Sequence, residues 1–417
     1  MSLISELRMQ PAVDSRASWD APASMRLLLS AAVIFVLLCG ANLATPLYPQ
    51  LQSSLGLGTL GTTVAFASYV LALMLGLVSI GHWSDHIGRR AALVTAVLVG
   101  LLGTLVFAGA QGLVTLCVGR ALQGLSVALA TGASAAALRE LLPTKPQWAS
   151  RFTLLASSGG VAIGPVLGGA LAMLPGGMRT AFFLQGAVLL ALLIPLSVVR
   201  ARPAIAPAAF GQRRNALAPR PGLVPAQANE DFWLAAGTGF LSFAVYGFIL
   251  SLAPGHFAAV FDLRSPVLVG ALAGLPLLAS ALSQLSAVRG RQLQAFATLS
   301  MALALGTLLI GVERAHLAVV LCALLVLGVG QGLTFRSAFA AAVDSVEISA
   351  HARTVSSIYL ITYLGSALPV IGLGWAAGVF GMATGMRIFL SAAILLAVTL
   401  AVVAWLRQAR TKENFRA

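Results

Sequence analysis

The chain has 417 residues, of which 59% are hydrophobic and only 9% charged, with a formal net charge of +14. Soluble domains carry roughly 25% charged residues, so this composition excludes an ordinary water-exposed surface and points to a bilayer as solvent. The basic excess falls in gaps between apolar runs rather than on a polar domain, which excludes a nucleic-acid-binding patch.

In chain order, a polar segment of mixed charge ends at Arg26 and is expected to be a cytoplasmic tail, residues 1–26. The apolar run that follows is too long for the core of a cleaved signal peptide. About 20 apolar residues cross a membrane as a helix. Twelve such runs are predicted: Leu27–Tyr48, Thr62–Ile80, Ala91–Ala110, Gly112–Leu138, Trp148–Leu174, Thr180–Val199, Phe232–His256, Pro266–Leu285, Ala295–Val312, Leu317–Val343, Thr354–Phe380 and Ala383–Leu406. The Pro-, Ala- and Arg-rich stretch 200–231 lacks apolar periodicity and reads as a cytoplasmic linker. It divides an N-terminal six-helix bundle, 27–199, from a C-terminal one, 232–406, followed by a tail at 407–417. The fold class is thus an all-α membrane protein of two pseudo-symmetric bundles.

Orientation follows from Lys and Arg alone. With the N-terminus inside, 20 of the 26 basic residues fall on inner segments and span ends, and four fall on outer ones. That split predicts an N-in, C-in topology. An internal repeat supports the two bundles. Leu43-Ala-Thr-Pro46 answers Ser251-Leu-Ala-Pro254, and Gln123-Gly-Leu125 answers Gln331-Gly-Leu333, both 208 residues later. Pro165-Val-Leu-Gly-Gly-Ala170 answers Pro369-Val-Ile-Gly-Leu-Gly374 at an offset of 204. Repeated halves with substrate bound near the midplane are characteristic of secondary transporters.

Three motifs stand out. Gly81-His-Trp-Ser-Asp85-His-Ile-Gly88-Arg89-Arg90 joins the second and third spans. Asp85 can cap the third span's helix, and Asp85 and Arg89 are four apart. Gly119-Arg120-Ala-Leu-Gln123-Gly124 lies in the fourth span, with Arg120 about 12 Å in from Gly112. An arginine there costs about 2.5–3.5 kcal/mol unless it faces protein or water, so it is expected to reach a cavity or carbonyls of the first helix. In the fifth span Gly160, Gly164 and Gly168 recur every fourth residue, with Pro165 and Gly169 among them. Small faces let helices approach closely, and Pro165 permits a bend.

Together these motifs resemble those of the major facilitator superfamily, over nearly the whole chain and in particular the 12-helix drug–proton antiporter type. By that resemblance, Gly81, Asp85, Gly88, Arg89 and Arg90 form a gating loop that pairs with Glu140. Arg120 and Gln123 serve coupling or substrate. Gly160, Gly164, Pro165, Gly168 and Gly169 form the antiporter-type motif. A capped turn, a backbone-bound arginine and generic glycine packing are the plainer readings of the same residues. Asn42, Gln331, Arg336 and Tyr246 are further candidates for the coupling or substrate site. Arg336 reads equally as a snorkelling arginine.

No carboxylate falls mid-span, and the first span offers only Asn42. Neutral or anionic amphipaths therefore fit better than a permanent organic cation. Cys39, Cys117 and Cys322 lie inside apolar runs without a CxxC pair, and no metal site, cofactor, catalytic cluster or phosphate-binding loop is legible. The expected activity is proton-coupled efflux of a small amphipathic compound by alternating access, from the inner membrane and as a monomer. The alternative is an anion exchanger or uptake carrier using Arg120, with Arg336 as a second cation. The expected partners are the lipid bilayer, a small-molecule substrate and protons, with no nucleic acid.

Overall fold

The structure, a computed structural model, describes residues 22–141, 146–198, 217–218, 229–286, 288, 290, 292–347 and 351–414. Among the described residues every regular element is helical. In lipid each backbone N–H and C=O must find its partner inside its own segment, which a helix alone provides for a single span. The elements are α1 (Ala23–Asn42), a 3-10 turn (Thr45–Leu47), α2 (Tyr48–Leu55), α3 (Thr59–Ser79), α4 (Trp83–Ile87), α5 (Arg89–Ala108), α6 (Leu113–Leu141), α7 (Pro146–Leu171) and α8 (Gly177–Val198). They continue with α9 (Glu230–Ser251), α10 (Ala253–Val260), α11 (Pro266–Leu285), α12 (Leu293–Glu313), α13 (Leu317–Asp344), α14 (His351–Phe380) and α15 (Met382–Asn414).

Among the described residues, twelve stretches are long and apolar enough to cross a membrane. Each corresponds to one of the twelve predicted runs, and Pro266–Leu285 and Thr354–Phe380 coincide with theirs. The first is longer than expected, Ser24–Leu55, because the chain turns through Pro46 and resumes as α2. Gly56, at φ +62, then ends α2 with its N–H on the Gln52 carbonyl, a left-handed cap that suits glycine. The repeat has a structural counterpart: α9 is likewise followed by a short helix, α10, with Pro254 in its first turn. At the other end of α9, the Asn229 side chain accepts from the Phe232 N–H at 2.9 Å, and Glu230 and Asp231 suit the positive helix end.

The described residues fall into two compact units. Of the described residues, the first takes those within 1–44, 68–164 and 171–221, and the second those within 45–67, 165–170 and 222–417. In the first unit α5 packs on α6 and α8, and α1 packs on α6. Phe107 and Phe182 meet there with ring centroids 4.6 Å apart. In the second unit α9 packs on α14, and α13 on α11 and α12. Its apolar core gathers Phe248, Phe257, Leu305, Leu324 and Leu390.

Candidate substrate and coupling site

The loop between α3 and α5 is a short helix rather than an open turn. Asp85 lies in α4, and the residue preceding α5 is Gly88, which supplies no side-chain cap. The expected capping by Asp85 is therefore not what the loop shows. Gly88 sits at φ +92, ψ 150, a conformation that only glycine adopts cheaply, and it separates the acid from the helix end. Asp85 instead takes the Arg89 guanidinium at 2.5 Å, and Arg89 also donates to Ser84 Oγ at 2.6 Å. Arg89 and Arg90 are both buried. Gly81 lies under α6, where a Cβ on Gly132 would strike its carbonyl oxygen. Gly132 had no signal in the sequence beyond being small. Glu140 belongs to the last turn of α6, and its side chain lies outside the described residues.

Arg120 is 2% exposed and heads the fully buried side chains by size among the described residues. Its Nη1 donates to the Ala41 carbonyl of α1 at 2.5 Å and to Gln123 Oε1 at 2.9 Å. Its guanidinium carbon lies 4.5 Å from the centroid of the Tyr69 ring. Gly124 makes this possible: a Cβ there would fall on the Tyr69 carbonyl, so α6 approaches α3 closely. The Arg120 Nε and Gln123 Nε2 atoms are buried and make no hydrogen bond among the described residues. A buried cation with a carbonyl, an amide and a ring face is solvated but not neutralised. Asn42 turns back on its own helix, donating to Leu38 O at 2.7 Å.

The glycines of α7 face two directions. In the first unit, Cβ atoms on Gly160 and Gly164 would lie 2.5 Å from Phe35 O and 2.6 Å from Cys39 O of α1. In the second unit, a Cβ on Gly169 would meet the Pro266 carbonyl, and one on Gly270 the Pro165 carbonyl. Gly168 is buried, and α7 runs unbroken through Pro165.

In the second unit Gln331 is the centre of a polar cluster. Tyr246 donates to Gln331 Oε1 at 2.9 Å, and Ser280 donates to the same oxygen. The Tyr246 hydroxyl also lies 3.3 Å from Pro276 O. Arg336 is placed elsewhere: it donates to Gln284 O at 3.3 Å and to the carbonyls of Ser286 and Val288. It thereby holds the C-terminal end of α11, whose last carbonyls lack helical partners. Two groups were missed in the sequence: Ser280, and the Asp231–Arg407 ion pair, which joins α9 to α15 with Glu230 at 3.7 Å. Pairings over 176 residues leave no local pattern to read.

Twelve apolar helices with polar side chains buried among them define a multi-pass membrane protein. Comparison with known families gives its kind: the model of the Major Facilitator Superfamily matches residues 30–370, and the chain belongs to that family. It is a membrane transporter of the bacterial inner membrane and not an enzyme. Among curated relatives, the MdtD protein of Klebsiella pneumoniae (strain 342), named for multidrug resistance, is 30% identical over 155 residues, 36% of this chain and 33% of the relative. The MdtD protein of Enterobacter sp. (strain 638) is 32% identical over 124 residues, 30% of this chain and 26% of the relative. The match thus spans about a third of those relatives' length or less. Among solved structures, a bacterial homolog of the human lysosomal transporter Spinster superposes with a TM-score of 0.76 at 15% identity, covering 93% of this chain and 97% of that one. A D-xylose–proton symporter gives 0.72 at 15% identity, covering 92% and 97%. These likenesses establish the fold.

Proposed function

We propose that this transporter exports a small amphipathic compound by alternating access of its two six-helix halves, driven by protons, with both termini in the cytoplasm. The names of the partial relatives support the direction. The twenty-to-four distribution of basic residues supports the orientation. The observation that carries the reading is Arg120, a buried cation held by α1 and by Gln123 without a neutralising acid among the described residues. Such a charge is poised to respond to a proton or to a substrate group arriving beside it.

A second reading has its own support. The unoccupied Arg120 Nε and Gln123 Nε2 donors suit an anionic substrate, as in an exchanger or uptake carrier. The Arg120→Gln variant separates the two. Intact substrate binding with loss of uphill movement is expected for coupling, whereas loss of binding itself, with the fold retained, points to direct contact with an anion.

A further inference from the structure

We propose that five half-buried rings of the second unit, Phe243, Phe335, Phe339, Tyr359 and Tyr363, form with Gln331 a subsite for an uncharged, flat aromatic ring system. This rests on the reading of the chain as a carrier of a small amphipathic compound, and it supplies the substrate class.

The spacing sets up the arrangement. Gln331, Phe335 and Phe339 recur every fourth residue on α13, and Tyr359 and Tyr363 do so on α14, so each set lines one helix face. Phe335 and Phe339 are 5.7 Å apart at 27°, and Tyr359 and Tyr363 are 6.1 Å apart at 28°, two near-parallel stacks. Phe339 meets Tyr359 at 5.5 Å, and Phe243 closes the set edge-on against Tyr363 at 5.3 Å.

These rings differ in burial from both the core and the lipid-exposed rings of the unit, and Phe339 at their edge also packs against the apolar cluster of Phe232, Ala338 and Ile358. Core rings of the same unit are sealed, with Phe248 at 0% and Phe257 at 1% exposure. Lipid-exposed ones stand out, with Trp233, Phe296 and Trp375 each at 55%. The five here are all half-buried, so each keeps part of its surface uncovered. From Gln331 to Phe339 is eight residues, about 12 Å along the helix, room for about two or three fused rings.

The chemistry selects against charge. No Asp, Glu or Lys lies in the stretches 243–246, 331–339 or 359–363. Arg336 is committed to the carbonyls at the end of α11. A cationic ligand has no counter-ion here, and an anion would meet the negative faces of the rings. The Tyr246 and Ser280 hydroxyls both donate to Gln331 Oε1, which fixes the amide. Its Nε2 takes part in neither bond and is the donor left for a ligand carbonyl.

The test uses the full chain in lipid nanodiscs, with empty nanodiscs as background, and three uncharged probes. Fluorenone is flat with a carbonyl, fluorene is flat without one, and dicyclohexyl ketone has the carbonyl but no aromatic ring. Fluorenone is expected to bind roughly tenfold tighter than dicyclohexyl ketone. Phe335→Leu and Tyr359→Leu, made separately on different helices, are each expected to reduce that preference by at least about threefold. Phe296→Leu, which changes a lipid-exposed ring, should leave it intact. Gln331→Leu should bring fluorenone down to fluorene, a loss of about fivefold. Equal binding of the ketones by the unaltered protein overturns the subsite, as does a preference that survives both ring substitutions in folded protein. Transport separates the two claims. Export of a non-aromatic amphipath by a protein with no fluorenone preference leaves the transporter reading standing without the subsite. Ring-dependent binding with no movement of any probe does the reverse.

Discussion

Gly159 and Gly160 are neighbours in the sequence, yet a methyl group should have opposite effects at the two. On Gly159 a Cβ meets only the edge of Phe35 at 3.5 Å, an ordinary contact with a side chain that can yield. On Gly160 it falls 2.5 Å from the Phe35 carbonyl oxygen, 3.1 Å from Leu38 Cβ and 3.2 Å from the Cys39 nitrogen. Two of those atoms are helix backbone, so α7 and α1 must separate. Either alanine gains about 0.8–1 kcal/mol of helix propensity over glycine, an amount that cancels between the two variants. What remains is overpacking at Gly160, about 1–3 kcal/mol. Gly159→Ala is therefore expected to be neutral or stabilising, and Gly160→Ala less stable than it by about 1–3 kcal/mol. Reversible unfolding of the purified variants in the same mixed micelles measures that difference. Equal stabilities, within about 0.5 kcal/mol, would show that α7 does not rest on α1 through this face.

Arg336→Gln is expected to release the end of α11 and lower stability by about 1–3 kcal/mol, and Arg336→Lys to recover part of it, read by thermal unfolding. Removing one partner of the Asp231–Arg407 pair should cost about 1–2 kcal/mol, less than a fully buried pair because the Arg407 side chain is 32% exposed. Exchanging the two, Asp231→Arg with Arg407→Asp, should regain part of that loss, which a double-mutant cycle measures.

The spans were legible because a bilayer imposes both length and composition on each one, and apart from the first their ends move by only a few residues. Depth was legible for Arg120: an arginine so far from either end must find polar atoms, and it found the Ala41 carbonyl of the first helix. Direction around a helix was less so. Arg336 is nineteen residues into its span, and only the position of α11 beside it shows that its guanidinium serves carbonyls. The glycine period in α7 marked a small face, but Gly160 and Gly164 turn to α1 while Gly169, one residue out of step with Gly168, meets Pro266. Gln331 was visible through the repeat. Its partners Tyr246 and Ser280 sit on two other helices, 85 and 51 residues away, and no pattern along the chain joins them.

Proton-driven export is tested most directly in inside-out vesicles holding the full chain, with an imposed pH gradient, acid inside, and a neutral fluorescent amphipath outside. Accumulation that follows the gradient, collapses when protons equilibrate and disappears in Arg120→Gln is the expected result. Accumulation unchanged by dissipating the gradient, or retained in full by Arg120→Gln, would contradict it.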